Sequence, residues 1–461
     1  MPEVFIDGVC YDARQNELLS DLLRRIGKGI SMPCGGRGDC GKCLVAVNGI
    51  EELACKYRIK SDITVILPKE EKIVSVTGAE ESFFDTEHMA LALDIGTTTL
   101  ALALVSPDEK KIVRLVTATN PQRAFGADVL SRITYCMDHG VSELRSCVIS
   151  AVNSMIKKLN ATETETLYAA GNTAMLHMFF GIDPSGMGTA PYAPVFLNSR
   201  TVSGESLGIP SVKTVVSLPS AAAFVGADLT AGLYYVGTPP EGKYDILIDL
   251  GTNAEIILFS REGALCTAAA AGPCFEGANI SCGMSASEGA VYAYGDNGCK
   301  TVGDVPARGV CGTGLVDVIA FLLKKGIIDE TGYMEQSKFV IAPNVTLTQD
   351  DVRQYQLAKS AVCAALLTLL NKQDVPFSSI DKLFISGGFA DKLNIDSAVA
   401  TGLLPAELYE KCVPINNSSL LGTVKALYYK PDLTSITAKT EYVDLSTDPL
   451  FSDLFIERMS F

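Results

Sequence analysis

LALDIGTTTLALALV, residues 91–105, and ILIDLGTNAEIILF, residues 246–259, are two copies of one pattern. Each is an apolar strand, an Asp, one apolar residue, Gly-Thr, and a polar turn into a second strand, with Asp94 and Asp249 155 residues apart (94 to 249). Duplication at that distance predicts two related lobes. In such a turn the backbone N–H groups and the hydroxyls of Thr97, Thr98 and Thr99 can hold phosphate oxygens, and Asp94 can reach Mg²⁺ through water. One copy alone could be no more than a tight turn; two in order make a phosphate site. LFISGGFADK at 383–392 adds a buried-strand pattern ending in Gly387-Gly388, where backbone can lie close to a flat ligand.

Together these three passages resemble the phosphate 1, phosphate 2 and adenosine motifs of the actin, sugar kinase and Hsp70 superfamily, over roughly residues 91 to 430. The resemblance implies two RNase H-like lobes closing on ATP with Mg²⁺. It implies that Asp94, Gly96, Thr97 and Thr98 meet the β- and γ-phosphates, that Asp249, Gly251, Thr252 and Asn253 serve from the second copy, and that Gly387 and Gly388 flank adenosine. Asp249 is the carboxylate expected to orient water or Mg²⁺. Glu255, in the following strand, reads equally well as a paired structural charge.

Upstream, SMPCGGRGDCGKCLVAVNGIEELAC places Cys34, Cys40, Cys43 and Cys55 among glycines 35, 36, 38 and 41. Four thiolates suit zinc or an iron–sulfur cluster. Zinc ribbons present two similar CxxC knuckles, whereas here three cysteines share one long Gly-rich loop and the fourth arrives alone. That asymmetry fits a [2Fe-2S] rhomb, with glycines of positive φ letting N–H groups approach the sulfides. VFIDG and CYDARQ read as strands joined at Asp7-Gly8, Glu17 to Ile26 as a helix, and ITVILP at 63–68 as a closing strand. The segment resembles a β-grasp ferredoxin over about 80 residues, although five residues rather than the plant-type four separate the first two cysteines. The other cysteines, such as Cys147 and Cys363, read as small core residues.

A chain of 461 residues predicts more than one domain, and 38 Lys+Arg against 53 Asp+Glu, a net charge of −15, excludes a broad basic surface for nucleic acid. No charge-free apolar run reaches the ~18 residues of a membrane span, and the start MPEVFIDG has no signal-peptide pattern. The expectation is a cytoplasmic protein without a nucleic-acid or membrane partner, its cysteines reduced or metal-bound.

Four more passages depart from a generic kinase: NPQRAFGADVLSRI at 120–133, AAGNTAMLHMFFG at 169–181, AAGPCFEGANISCGM at 270–284 and GVCGTGLVDVIAFLLKKG at 309–326. With the cysteine loop before them, they resemble the reductive activators of corrinoid proteins, a [2Fe-2S] ferredoxin fused to an actin-like ATPase. The fold class expected is therefore α/β with an α+β N-terminal domain: ferredoxin at 1–80, linker at 81–90, ATPase lobe I at 91–240, and lobe II at 241–461 with a C-terminal return to lobe I. The resemblance implies ATP-dependent return of Co(II) corrinoid to Co(I) in a methyltransferase system, with a corrinoid protein and an upstream electron donor as partners. Longer relatives carry an extra segment between ferredoxin and ATPase, so a homodimer is a weaker carry-over to this shorter chain. The turn Gly312, Thr313, Gly314 is a further candidate for ligand contact, and the helix after it reads as core. Leu144, Val148, Val152, Met155 and Leu159 also read as core, and His177 as a satisfied buried histidine. Other readings compatible with the residues are an electron carrier or activator of another metalloenzyme, a redox-sensing kinase and an actin-like filament.

Overall fold

The computed structural model describes residues 1–28, 30, 32, 36, 38, 43–67, 88–161, 163–251, 253–388 and 390–461. Cys34, Cys40, Thr252 and residues 81–87 of the expected linker lie outside the described residues.

By packing, the chain divides into two compact units, Met1–Ser217 and Leu218–Phe461. The first unit opens with β1 (Glu3–Ile6), β2 (Val9–Asp12), α1 (Leu19–Arg25), β3 (Leu44–Val47), β4 (Ile50–Leu53) and β5 (Ile63–Ile66). These strands form a β-grasp sheet of order β2-β1-β5-β3-β4, with β1 and β5 parallel. Asp7 and Gly8 both take positive φ (48° and 84°), the conformation that a two-residue hairpin turn demands. Val4, Ile6, Val45, Val47, Ile63 and Val65 bury their alternating faces against Leu19, Leu22 and Leu23 of α1. The helix starts later than Glu17 because Leu18 forms an antiparallel bridge with Arg58. Cys10 is exposed on the edge strand β2, so the core assignment fails for that thiol.

Next come β6 (Ala90–Ile95), β7 (Thr99–Ser106), β8 (Lys111–Thr119), α2 (Val129–His139), α3 (Ser142–Lys158), β9 (Thr164–Gly171), α4 (Thr173–Phe180), β10 (Thr201–Ser203), α5 (Gly204–Leu207) and β11 (Val212–Ser217). Their sheet order is β10-β11-β9-β6-β7-β8. β6–β7–β8 is an antiparallel meander, and β9 and β11 continue parallel to β6. All six residues of β6 are buried, which explains its unbroken apolar run.

The second unit contains α6 (Ala227–Val236), β12 (Tyr244–Leu250), β13 (Ala254–Phe259) and β14 (Ala264–Ala269), then the small strands β15 (Ala290–Gly295), β16 (Gly298–Thr301) and β17 (Gly309–Val310). It continues with α7 (Gly312–Lys324), β18 (Lys338–Ala342), β19 (Val345–Thr348), α8 (Gln349–Lys372), β20 (Ile380–Ser386), α9 (Ile395–Ala400), β21 (Cys412–Pro414), α10 (Ser418–Tyr429), α11 (Thr434–Thr437), β22 (Thr440–Tyr442) and α12 (Pro449–Glu457). Its main sheet has order β21-β20-β12-β13-β14-β22. The meander β12–β13–β14, with β20 and β21 parallel to β12, repeats the plan of the first unit. The duplication read from two hairpins therefore extends to whole sheets. Leu229 and Leu233 of α6 join a core with Leu247, Ile257 and Phe384, and α10 packs along the same helix. Residues 218–240 thereby belong to the second unit by packing, and the split falls at Ser217–Leu218, ahead of position 240.

His177 is wholly buried in α4. Its Nδ1 lies 2.7 Å from the Thr173 carbonyl, while Val195 N–H donates to Nε2 at 3.0 Å and Phe196 stacks on the ring at 4.3 Å. These partners require the neutral ring with the proton on Nδ1. Burial holds its pKa below the usual histidine value; the Thr173 carbonyl opposes that shift, Arg200 adds to it, and Asp183 opposes it. Because the folded value is lower than the unfolded one, the unfolded chain takes up the proton first, and stability falls as pH drops below about 6.5, by at most ~1.4 kcal/mol per pH unit. Denaturant titrations at pH 7.5 and 5.5 should show a larger loss for the natural protein than for His177→Asn; equal losses would remove His177 as the cause.

Candidate functional site

The first hairpin turn is braced from behind. Asn120 is fully buried; its Nδ2 donates to the Gly96 carbonyl at 2.8 Å and its backbone N–H to the Thr98 carbonyl at 2.8 Å. Arg132, also fully buried, donates from Nη2 to the Thr97 carbonyl at 2.6 Å and from Nε to the Gly126 carbonyl at 3.0 Å. All three turn carbonyls are thus committed to donors on Asn120 and Arg132. A trans peptide points its N–H opposite to its C=O, so the amides of Thr97, Thr98 and Thr99 are aimed away from the brace. That is the polarity an anion cradle needs.

Local sequence explains why the brace forms. Asp128 caps α2 by accepting from Ser131 N–H at 2.7 Å, and Ser131 Oγ accepts from Asp128 N–H in return, a capping box. This fixes Arg132 one turn into the helix. Gly126 has no room for a side chain, since a methyl there would come within 2.9 Å of Arg132 N. A methyl at Gly96 would stand 2.6 Å from the Thr99 carbonyl oxygen, so glycine is needed to close the turn. Asp94 is 8% exposed, opposite Ala101 and beside Ala170 in the sheet, at the C-terminal end of β6. Thr99 is the first residue of β7.

The second copy is built by different means. Asp249 lies across from Glu255 and beside Ser386 in the sheet, and Gly251 N–H donates to the Asn253 carbonyl at 3.1 Å. Gly387 has φ of 105°, and a methyl there would overlap the Leu250 carbonyl oxygen. Close approach thus joins the Gly-Gly turn to the end of β12. Nothing stands within 4 Å of a methyl built on Gly388, which is open. Buried Ser386 accepts from Ser418 N–H at 3.1 Å, tying this strand end to the start of α10.

The run Gly312, Thr313, Gly314 is the first turn of α7 and is buried. Methyls at the two glycines would overlap the carbonyl oxygens of Phe275 and Val291, and the Thr313 hydroxyl donates to the Tyr292 carbonyl at 2.8 Å. Helix–strand packing accounts for the two glycines and for the Thr313 hydroxyl.

At the N-terminus, Asn48 and Gly49 take positive φ (50° and 83°) and fold β3 onto β4. The hairpin carries Cys43 at its entry and returns Cys55 beside it, with Ala54 N–H donating to the Cys43 carbonyl at 2.9 Å. The two Sγ atoms are 3.2 Å apart, well beyond the ~2.05 Å of a disulfide. Two thiolates on one tetrahedral ion with ~2.3 Å bonds stand about 3.8 Å apart, so a small opening of this pair would admit iron or zinc. Gly36 and Gly38 have φ of 88° and 79°, the freedom expected of a loop that approaches a cluster, and the stem of Lys56 lies over Gly38. Among the described residues no group of three or more His, Cys, Asp or Glu could hold a metal ion, and Cys34 and Cys40 are outside them. Burial pushes the thiols of Cys136, Cys147, Cys266 and Cys274 up to about 12, which makes them poor ligands.

Asn120, Arg132 and Ser386 were not singled out from the sequence. The first two do lie in the NPQRAFGADVLSRI passage, which carried a signal without a role.

Comparison with known proteins agrees along the chain. The family described as the RACo middle region matches residues 89–239, and that described as the C-terminal domain of RACo, the ASKHA domain, matches 243–461. The corrinoid activation enzyme RamQ of Eubacterium limosum is 26% identical, with 98% of this chain and 97% of that one covered. The [Co(II) methylated amine-specific corrinoid protein] reductase of Methanosarcina barkeri is 22% identical, with 80% and 76% covered. A solved structure of a reductive activator for corrinoid, iron–sulfur protein superposes with a TM-score of 0.75 at 27% identity, covering 100% of this chain and 98% of that one. The repeated hairpins, the two sheets built on one plan and these matches lead to one conclusion: the chain belongs to the family of reductive activators of corrinoid proteins.

Proposed function

We propose that this protein is an ATP-dependent reductive activator that passes an electron from a [2Fe-2S] cluster to the Co(II) of a corrinoid protein, regenerating Co(I) in a methyltransferase system. The carrying observation is the braced turn at Gly96–Thr98, whose carbonyls are all held by Asn120 and Arg132 and whose amides are aimed the other way. In this reading Asp94, Gly96, Thr97, Thr98 and Thr99 receive the terminal phosphates and their Mg²⁺. Asp249, Gly251, Thr252 and Asn253 serve from the second hairpin, with Asp249 orienting water or metal. Gly387 and Gly388 flank adenosine, and the amides at Gly312, Thr313 and Gly314 are a secondary contact. Cys34, Cys40, Cys43 and Cys55 hold the cluster on a ferredoxin domain at 1–80, followed by a linker at 81–90. When bound, a [2Fe-2S] cluster supplies one-electron transfer at low potential.

Coupling to ATP has a thermodynamic reason. For one electron, ~59 mV of deficit is a tenfold loss, so an acceptor ~120 mV below the donor is disfavoured about a hundredfold, or ~2.8 kcal/mol. Differential affinity of nucleotide for two docked states can offset that amount. The partners in this reading are a corrinoid protein and an upstream electron donor, with a second copy of the chain as a further partner; the setting is the cytoplasm.

The direct test is anaerobic reconstitution with a Co(II) corrinoid protein, following Co(I) absorbance with ATP, with a non-hydrolysable analogue and with no nucleotide. ATP should accelerate reduction; equal rates in all three would refute coupling. Cys55→Ser should lose most bound iron and visible absorbance by metal analysis and spectroscopy, and zinc in the natural protein would overturn the cluster. Arg132→Met leaves the Thr97 and Gly126 carbonyls without their donor, at ~1–3 kcal/mol each; by calorimetry nucleotide affinity should fall about tenfold or more. Arg132→Lys should recover little, since an ammonium lacks the fork that spans both carbonyls.

A further inference from the structure

The segment that braces the phosphate turn also seats the N-terminal β-grasp. Arg24, in the last turn of α1, places its guanidinium 5.9 Å from the ring centroid of Phe125. Its Nε is buried without a hydrogen-bond partner among the described residues, while its Nη2 bonds Asp21 at 2.9 Å. A part-buried guanidinium of this kind is stabilised by an aromatic face. Phe125 packs edge-on against Tyr135 at 5.0 Å, and Tyr135 donates its hydroxyl to Glu143. Burial and that carboxylate push the Tyr135 hydroxyl up to about 12, and Arg24 acts on it in the opposite direction. The seat of Arg24 is therefore an aromatic pair backed by an acid.

Phe125 is also bonded into the brace. Its N–H donates to the Gln122 carbonyl at 2.9 Å, and Gln122 N–H donates to Oδ1 of Asn120, the residue that holds Gly96. On its other side is Gly126, whose carbonyl receives Arg132, the residue that holds Thr97. Two short routes thus run from one ring to the turn, through Asn120 and through Arg132.

We propose that Arg24 is a positioning residue that couples the β-grasp unit to the phosphate turn, so that nucleotide at Gly96–Thr99 changes how firmly α1 is held on Phe125, and the hold on α1 changes nucleotide affinity. This rests on the reading that the turn binds nucleotide phosphates. Linkage makes the coupling reciprocal: whatever factor nucleotide applies to docking, docking applies to nucleotide.

The test uses the full, cluster-loaded chain under anaerobic conditions. Magnesium with a non-hydrolysable ATP analogue is titrated into the natural protein, Arg24→Gln, Arg24→Lys and Phe125→Leu, and amide exchange over Leu19–Arg25 is followed with and without nucleotide. Expected are nucleotide-dependent exchange in α1 of the natural protein, its loss in Arg24→Gln, and a Kd shift of about two- to fivefold in that variant, the range of one exposed cation–π contact. Arg24→Lys, which keeps the cation, should sit closer to the natural protein. Arg24 is at the surface of its own helix, so Arg24→Gln folds even if Phe125→Leu does not. An unchanged Kd in Arg24→Gln together with nucleotide-independent exchange in α1 would overturn the coupling while leaving nucleotide binding intact. If the natural protein binds no nucleotide, the reading of the turn fails first and the coupling with it.

Discussion

A buried arginine with its fork on two carbonyls is the constraint on which the first unit depends. Arg132 is wholly out of water, and an isolated charge in that position would cost several kcal/mol. It is tolerable only where acceptors already converge, and Thr97 and Gly126 supply them. The capping box at Asp128 sets the helix start, the helix start sets Arg132, and Arg132 sets the turn. Because each step depends on the one before, the turn has one conformation before any ligand arrives, and binding does not have to bear the cost of ordering it.

The second hairpin has the same local pattern, with close backbone approach and strand pairing around it. Its order comes from backbone proximity: Gly387 against Leu250, Ser386 against Ser418, and a three-stranded meander on the other side. A turn held by a buried cation resists displacement, because moving it strands a charge. A turn held by close backbone approach can slide with the strand that covers it.

Much of this was legible in the sequence because it is local. The Asp-x-Gly-Thr hairpins, the Gly-Gly turn and the Asp7-Gly8 turn each depend on residues within one short window and appear where they were read, and the strand read at 63–68 is found at Ile63–Ile66. Asn48-Gly49 was equally local and carried the strongest short hairpin signal; it explains how the fourth cysteine returns to the third. Asn120 and Arg132 were not legible, since a polar residue in a mixed passage gives no sign that it is fully buried. Their acceptors lie 24 and 35 positions away. The packing split at Ser217–Leu218 has a similarly long-range cause. Helix α6 follows the first sheet in the chain, but its apolar face is completed by α10, nearly two hundred residues later.

Cysteine placement shows how burial can direct metal loading. A thiol pushed up to about 12, as at Cys266 or Cys274, keeps its proton at neutral pH and offers iron nothing. Cys43 and Cys55 are also buried, but they are buried together, with sulfurs 3.2 Å apart. A cation between two sulfurs this close would hold both at once. Metal binding at this pair would couple ligation to the hairpin that brings the two sulfurs together. The proposed cluster would then be more than a passenger on the β-grasp: the strand pairing that brings Cys55 back to Cys43 and the ligation of both sulfurs would stabilise each other.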